Sequence, residues 1–183
     1  MIRFREIDVV DAKKILDWRT KERVTKFMDT DISYDIKLNE EWIKKSFSRP
    51  DYYHWIIQNE SEDIGLISIS DLNFKEKSTS WGFYIGEETA LGLGGLIPPY
   101  LYNFVFDIFE FESIKAEVFF NNISTINLHL LQGYQFDPAR DYVIIKNNKE
   151  ILKISMILKK DNFKTSKFKR LSINFPVSKW ENK

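Results

Sequence analysis

The chain has 183 residues, of which 43% are hydrophobic and 30% charged, and its formal net charge is zero. This predicts one globular domain, with at most a small appendage, that buries a core of its own. Zero net charge disfavours nucleic acid as a partner, and the lack of cysteine excludes disulfides, thiolate metal ligands and a cysteine nucleophile. The two histidines, His54 and His129, have no other ligand at a suitable spacing, so no metal is expected.

The sequence shows neither a signal peptide nor a membrane-spanning segment. The first residues, MIRFREIDVV, lack the apolar core of a signal peptide. No apolar run reaches the ~18 residues of a membrane span. We therefore expect a soluble cytoplasmic protein without a membrane partner.

The first part of the chain predicts a strand followed by helices. Residues 2–5 alternate apolar and polar side chains, as a half-buried strand does. Asp8 or Asp11 is placed to cap the helix that follows. The elements expected here are the strand over 2–5, a helix ending at Trp18-Arg19, a short helix around 24–28 and a helix over 39–47.

The middle and end of the chain predict a mixed sheet. Three strands joined by short turns must be antiparallel, whereas a strand–helix–strand unit after them requires two parallel strands. The elements expected are strands over 53–57, 64–69 and 79–85, a helix over 96–109, a strand over 113–120, a helix over 124–131 that stops at Gly133, and a hairpin of strands 142–146 and 151–158 around Asn147-Asn148.

A glycine-rich loop joins the strand over 79–85 to the helix behind it, with the sequence GEETALGLGG. Glycines between a strand and a helix let backbone N–H groups approach an anion closely, and the helix N-terminus adds favourable partial charge. The loop also lies where antiparallel pairing changes to parallel pairing, a favoured ligand position in open sheets. It is a candidate phosphate cradle, with a plain tight turn as the alternative.

Residues from Lys159 onward are basic and polar, and we divide the chain into a domain over 1–163 and a tail over 164–183. One interpretation is a solvated tail held to the body by aromatic residues. The other is an arm that binds anions or contacts another subunit. The aromatic residues concerned are Phe163, Phe168, Phe175 and Trp180.

With this element order, the chain resembles the GNAT superfamily of acetyl-CoA-dependent N-acetyltransferases over about residues 2–163. The family's loop reads Arg/Gln-x-x-Gly-x-Gly/Ala, and here Thr89 to Gly94 keeps both glycine positions but lacks the leading Arg/Gln. Pro98-Pro99 is a second departure, so the helix is expected to start at Leu96 or later. Downstream, Glu117 and Asn122 match family positions, and His129 stands where the family usually has Tyr.

Within the superfamily, the chain resembles the enzymes that N-acetylate a UDP-linked 4-amino-4,6-dideoxy sugar in pseudaminic acid biosynthesis. The similar residues are His129, Trp18-Arg19, the run over 28–33, Trp42, the run over 150–155 and Lys160-Asp161.

The resemblance implies an α/β fold. A mixed sheet of about seven strands would have helices on both faces, with an acyl-CoA cleft between splayed parallel strands. It also implies roles for particular residues. The pantetheine arm would pair with the backbone at Phe83-Tyr84-Ile85, and Leu93, Gly94 and Gly95, after Gly92, would present amides to the pyrophosphate. Asn122 would bond the arm or cap a helix. The expected acceptor contacts are Arg19, Met28, Asp29 and Trp81.

Two residues are expected to carry the chemistry. An imidazole with a reference pKa near ~6.5 can protonate a departing thiolate at neutral pH, which would make His129 the acid. Glu117 would be the base if burial raises its pKa. The alternatives are a core histidine and a strand carboxylate facing solvent, and His54 is interpreted as structural.

Three functions remain open at this point. The first is transfer of acetyl from acetyl-CoA to the 4-amino group of a UDP-linked amino-deoxy sugar, without a metal. The second keeps the fold and cofactor but acetylates a protein N-terminus, as ribosomal-protein acetyltransferases do. The third is a non-catalytic GNAT-like binding module. A homodimer is also left open.

Overall fold

The computed structural model describes residues 1–164, 167–171 and 175–178. Its eight strands are β1 (Ile2–Glu6), β2 (Tyr53–Asn59), β3 (Glu62–Asn73), β4 (Ser78–Ile85), β5 (Ser113–Phe119), β6 (Gln135–Phe136), β7 (Tyr142–Lys146) and β8 (Lys149–Lys159). Its α-helices are α1 (Ala12–Arg19), α2 (Glu22–Thr25), α3 (Ile36–Phe47), α4 (Pro98–Asp107), α5 (Ile123–Gln132) and α6 (Lys160–Lys164).

The strands form one mixed sheet in the order β1-β2-β3-β4-β5-β8-β6, and β7 also pairs with β8. Every pairing is antiparallel except that of β4 with β5, which is parallel. This confirms the α/β class and the predicted change of pairing at the glycine loop. Strand β6 was not predicted, because a strand of two residues is too short to show an alternating pattern.

Two cores cover the two faces of the sheet. The neighbours Ile56 and Ile57 belong to different cores, because successive side chains of a strand point to opposite faces. The smaller core packs Ile56 against α1 and α3, which contribute Ile15 and Ile43 among others. The larger core packs Ile57 and its neighbours against α4 and α5. Helices therefore flank both faces, as expected.

Local sequence signals explain most of the element ends. Helix α4 begins at Pro98, a position where the missing N–H costs nothing, which confirms the prediction of a late start. Gly133 ends α5 in the left-handed conformation with φ 103°. Asn147 and Asn148 also have positive φ in the hairpin turn. Helix α3 begins earlier than predicted, at Ile36, because the Asp35 side chain accepts a hydrogen bond from the Leu38 N–H.

The described residues near the end of the chain pack on the larger core. Phe163 and Phe175 are buried in it, and Phe168 packs against it. The Trp55 indole N–H donates to the Pro176 carbonyl at 2.7 Å. Three of the four expected aromatic contacts of the tail are therefore confirmed, and Trp180 lies outside the described residues. Within the described ranges, no helix has the length and hydropathy to cross a bilayer.

Candidate active site

Strands β4 and β5 separate soon after they begin. Their parallel pairing covers only Ser78–Ser80 of β4 against Ser113–Lys115 of β5. Beyond this point a cleft of about 1170 Å³ opens between them, walled by the second halves of both strands, the segment from α1 to α3, the glycine loop and the start of α5. The splayed parallel strands expected from the sequence resemblance are thus present.

Backbone pairing decides which groups of β4 face this cleft. The Gly86 N–H donates to the opposite carbonyl, Ile64, at 2.7 Å, and the β3–β4 register runs without a shift along the cleft. Bonded pairs in an antiparallel ladder recur at every second residue. The Tyr84 backbone therefore pairs with β3, while Phe83 and Ile85 turn their N–H and C=O groups towards the cleft.

The glycine loop is a 3₁₀ turn over Glu88–Leu93 followed by a bend into α4. Gly94 and Gly95 line the cleft, and the Gly94 N–H donates to the Leu91 carbonyl at 3.1 Å. Gly92 and Leu93 are not lining residues; the Leu93 side chain packs against the larger core. Of the loop residues predicted to contact the pyrophosphate, Gly94 and Gly95 are at the cleft surface.

His129 projects from α5 into the cleft and is only 3% exposed. Its ring stacks on Tyr134, with centroids 4.7 Å apart, and is tilted against Trp81 at 5.6 Å. Its Nδ1 is buried and has no hydrogen-bond partner in the described part of the chain. A buried polar atom without a partner is costly, which makes this nitrogen a candidate partner for a bound ligand.

Burial also lowers the pKa of His129 to about 4, and a hydrogen bond with Gln132 offsets only part of the effect. The pKa of His129 in the unliganded protein therefore lies below the reference value on which its predicted role as an acid was based. The imidazole is neutral at pH 7, and any hydrogen bond it donates to a ligand comes from the N–H of this neutral ring.

Glu117 lies on β5 at the opposite wall and is held by two donors. The Tyr142 hydroxyl donates to its Oε2 at 2.6 Å, and the Lys153 ammonium donates to the same oxygen at 3.0 Å. Burial alone would raise the pKa of Glu117, but these two hydrogen bonds outweigh it and lower the pKa. The condition set for a general base, a raised pKa, is therefore not met.

Lys153 was not foreseen from the sequence. It is a buried cation on β8 that also donates to Asp29 at 2.8 Å. Burial would lower its pKa, but the bonds to Asp29, Tyr142 and Glu117 raise it, so the charge is retained. Nothing in the local pattern of β8 singles this lysine out, because its partners come from distant parts of the chain.

The segment that carries Asp29 is bound to the β7–β8 hairpin at further points. Lys146 donates to the carbonyls of Thr25 at 2.6 Å and Met28 at 2.8 Å, and it pairs with Asp31 at 2.9 Å. The Lys146 ammonium and further hydrogen bonds from Asn147 and Thr25 hold the pKa of Asp31 far below its usual range. Residues 28–33, which we call the acceptor-side loop, therefore form a fixed wall of the cleft.

The four predicted acceptor contacts all line the cleft. The Arg19 guanidinium donates to the Thr30 carbonyl at 2.6 Å, and burial lowers its pKa. Met28 is the first residue of the acceptor-side loop. The Trp81 indole donates to the Tyr134 hydroxyl at 2.8 Å. The structure thus brings Arg19, Met28, Asp29 and Trp81 together around one space.

Asn122 occupies the N-cap position of α5 but does not cap it through its side chain. Its Oδ1 accepts a hydrogen bond from the Ser124 hydroxyl at 3.2 Å, so the capping interpretation was wrong. Asn122 lines the cleft, which leaves the pantetheine contact as its predicted role. His54 packs edge-on against Trp42 and Tyr52 and also lines the cleft. The residues described hold no cluster suited to a metal ion.

Comparisons with known proteins agree with this geometry. Residues 2–135 match the model of the acetyltransferase (GNAT) domain family. Two curated relatives are called acetyltransferase PseH, both from Campylobacter jejuni. The protein of serotype O:2 is 23% identical over 79% of this chain and 92% of its own length, and that of serotype O:23/36 is 21% identical over 76% and 87%.

Solved structures show the same fold. Spermidine N-acetyltransferase from Vibrio cholerae, crystallised with CoA and spermine, superposes with a TM-score of 0.77 over 90% of this chain and 98% of that one, at 15% identity. The family model covers most of the chain, and the relatives are named as acetyltransferases. The protein is therefore an acetyltransferase that belongs to the GNAT family.

Proposed function

We propose that the protein transfers the acetyl group of acetyl-CoA to the 4-amino group of a UDP-linked amino-deoxy sugar, in the manner of pseudaminic acid biosynthesis. The observation that carries the proposal is the cleft between the splayed strands, with free backbone groups along β4 and an unpartnered imidazole nitrogen opposite them. The similarity to the two PseH proteins supports the choice of acceptor class.

The cofactor half of the cleft suits an acyl-CoA. The Phe83 N–H and C=O and the Ile85 N–H face the space between the strands, so an extended pantetheine arm can pair with them as an added strand would. Gly94 and Gly95 line the cleft just before α4, where the Gly95 N–H and the helix dipole favour a pyrophosphate. Bound there, acetyl-CoA supplies the activated acetyl group.

The acceptor half favours a sugar over a polyamine. A polycationic acceptor requires carboxylates that are free to bind it. Among the described residues, the acidic side chains that line the cleft are already engaged: Asp29 with Lys153, Asp31 with Lys146, Asp35 with the Leu38 N–H, and Glu117 with Lys153 and Tyr142. Arg19 also lines the cleft and would attract the diphosphate of a nucleotide sugar.

Glu117 and His129, on opposite walls of the cleft, have different tasks in the reaction. The amine must be neutral when it attacks the thioester carbonyl; a C–N bond forms, the C–S bond breaks so that CoA leaves as a thiolate, and the nitrogen releases a proton. Glu117, held ionised by Lys153 and Tyr142, orients the water that receives this proton. On the other wall, the neutral imidazole of His129 donates a hydrogen bond to the sulfur as negative charge develops there.

Initial rates of CoA thiol release test the proposal. Each assay contains acetyl-CoA and one acceptor: a UDP-4-amino-4,6-dideoxy sugar, spermidine, or a peptide with a free N-terminus. We expect kcat/KM for the sugar to exceed the other two by about 10²-fold or more, as expected when buried polar groups select the substrate. A higher value for the peptide would instead support the N-terminal acetyltransferase function.

A further inference from the structure

Two cations from the α1–α2 segment converge on the end of β4. The Arg23 guanidinium donates through Nη1 to the Ile85 carbonyl at 2.7 Å and through Nη2 to the Gly86 carbonyl. The Lys21 ammonium also donates to the Gly86 carbonyl, at 2.9 Å. Arg23 thus contacts two successive carbonyls, whereas Lys21 contacts only the second.

The two carbonyls have different positions relative to the cleft. Ile85 is the last residue of β4 whose backbone faces the cleft, by the alternation set by the β3–β4 ladder. Its carbonyl is therefore the next acceptor that an added strand would use. Arg23 already occupies this acceptor, and its side chain lines the cleft at that point.

Arg23 is itself held at this place. Its Nε lies 3.7 Å from the carboxylate of Glu88 at the start of the glycine loop, and this nitrogen is buried without a hydrogen-bond partner in the described part of the chain. The Trp18 ring lies so close to Gly86 that a Cβ there would come within 2.2 Å of it. The end of β4 is therefore rigid, and the guanidinium cannot easily be displaced by a ligand.

We propose that Arg23 is a positioning residue that ends the ladder of β4 at Ile85 and thereby sets the register of the pantetheine arm. With the Ile85 carbonyl occupied, the arm can use only the Phe83 N–H and C=O and the Ile85 N–H. One register then remains, and it fixes the distance of the thioester from His129. A shift from the Phe83 carbonyl to the Ile85 carbonyl spans two residues of β4 and would move the thioester by about 6.6 Å, at a rise of ~3.3 Å per residue, and so away from the imidazole.

This inference rests on the proposed use of acetyl-CoA, and it predicts a particular kinetic signature. The variant Arg23→Met frees the Ile85 carbonyl, so the arm can bind in more than one register. We expect kcat at saturating acetyl-CoA to fall about 10- to 100-fold, since a misplacement of even 1 Å costs that much. The acceptor KM should stay within about twofold, because the acceptor wall is unchanged.

Three comparisons separate this role from a structural one. Lys21→Met is the matched control, because it loses a bond to the Gly86 carbonyl but leaves Ile85 occupied, and its kcat should stay within about twofold of the wild type. S-acetyl-pantetheine, which lacks the nucleotide, should show the same fold loss in Arg23→Met as acetyl-CoA does. Arg23→Lys, the milder change, should give a smaller loss in the same direction, because one ammonium can bond one carbonyl.

Several outcomes would overturn the inference. An equal loss in Arg23→Met and Lys21→Met, or an unchanged kcat with a lower melting temperature, would show a structural clamp only. A loss seen with acetyl-CoA but not with S-acetyl-pantetheine would show contact with the nucleotide half. If wild-type protein failed to bind acetyl-CoA by calorimetry, the proposed function itself would be wrong; normal binding with unchanged variant kinetics would contradict the role of Arg23 alone.

Discussion

The imidazole of His129 faces the cleft with one nitrogen that has no partner among the described residues. Replacing it by alanine should lower kcat by about 10²-fold, the lower end of what a hydrogen-bond donor to developing negative charge contributes. The dissociation constant of acetyl-CoA, measured by calorimetry, should change much less. Leu131→Ala on the exposed side of the same helix is the matched control. An unchanged kcat in His129→Ala would remove His129 from the reaction.

Burial of the same ring makes stability depend on pH. The pKa of His129 is about 4 in the folded protein, against ~6.5 when unfolded. Between these values the unfolded chain binds more protons, so stability falls as the pH falls from about 6.5 towards 4. From pH 7.5 to pH 5 we expect His129 to account for a loss of about 2 kcal/mol in the free energy of unfolding.

Urea unfolding at the two pH values measures this loss. The wild type should lose about 2 kcal/mol more than His129→Gln, whose side chain does not titrate in this range. An equal loss in both proteins would mean that the folded pKa of His129 is close to its ordinary value. The comparison cancels the contribution of carboxylates that titrate in the same range.

The β7–β8 hairpin and the acceptor-side loop form one unit through Lys153 and Lys146. Lys153→Met should cost about 1.5–3 kcal/mol of stability, the range for hydrogen bonds to charged groups, since Asp29 and Glu117 are half-exposed and regain water. The acceptor KM should rise because the loop wall loosens, while acetyl-CoA binding should be little affected. Lys149→Met on the exposed part of the hairpin is the control, and an equal change in both variants would count against this role of Lys153.

Local signals predicted elements well where one residue decides the backbone. Pro98 at a helix start, Gly133 at a helix end and Asn147-Asn148 in a hairpin each act through their own conformational limits, and such limits are visible in sequence. The contacts of Lys153 and Arg23 were missed for the opposite reason. Their partners lie far away along the chain, so no spacing pattern records them.

The site residues illustrate the same division. The positions of His129 and Glu117 at the cleft followed from the family resemblance, and both do line it. Their protonation could not be predicted from residue type, because burial lowers the pKa of one and two distant donors lower the pKa of the other. A residue's reference pKa describes it in water, whereas the fold sets the environment that decides its chemistry.

Phe175, near the end of the described chain, packs on the part of the larger core formed by β1 and β2. Phe175 stacks on Phe4 of β1, with centroids 4.0 Å apart, and packs edge-on against Trp55. Phe175→Ala should therefore cost about 3–5 kcal/mol of stability, the usual range for a buried Phe. The kinetics of acetyl transfer should stay unchanged at a temperature where the variant is folded, since the contact lies away from the cleft.

Thermal and urea unfolding check this prediction. Phe47→Ala, an exposed phenylalanine on α3, is the matched control and should be close to neutral. A small loss in Phe175→Ala, comparable to that of the control, would show that the tail adds little to the fold.

The central claim for the whole molecule is that one cleft joins acetyl-CoA to the amino group of a nucleotide sugar. The most direct measurement is mass spectrometry of the protein incubated with acetyl-CoA and an equimolar mixture of UDP-4-amino-4,6-dideoxy sugars, spermidine and peptide. The account predicts the gain of one acetyl group on a UDP-sugar, at its 4-amino nitrogen in fragment spectra, with spermidine and peptide unmodified. Acetylation of spermidine or peptide with every sugar unchanged would contradict it.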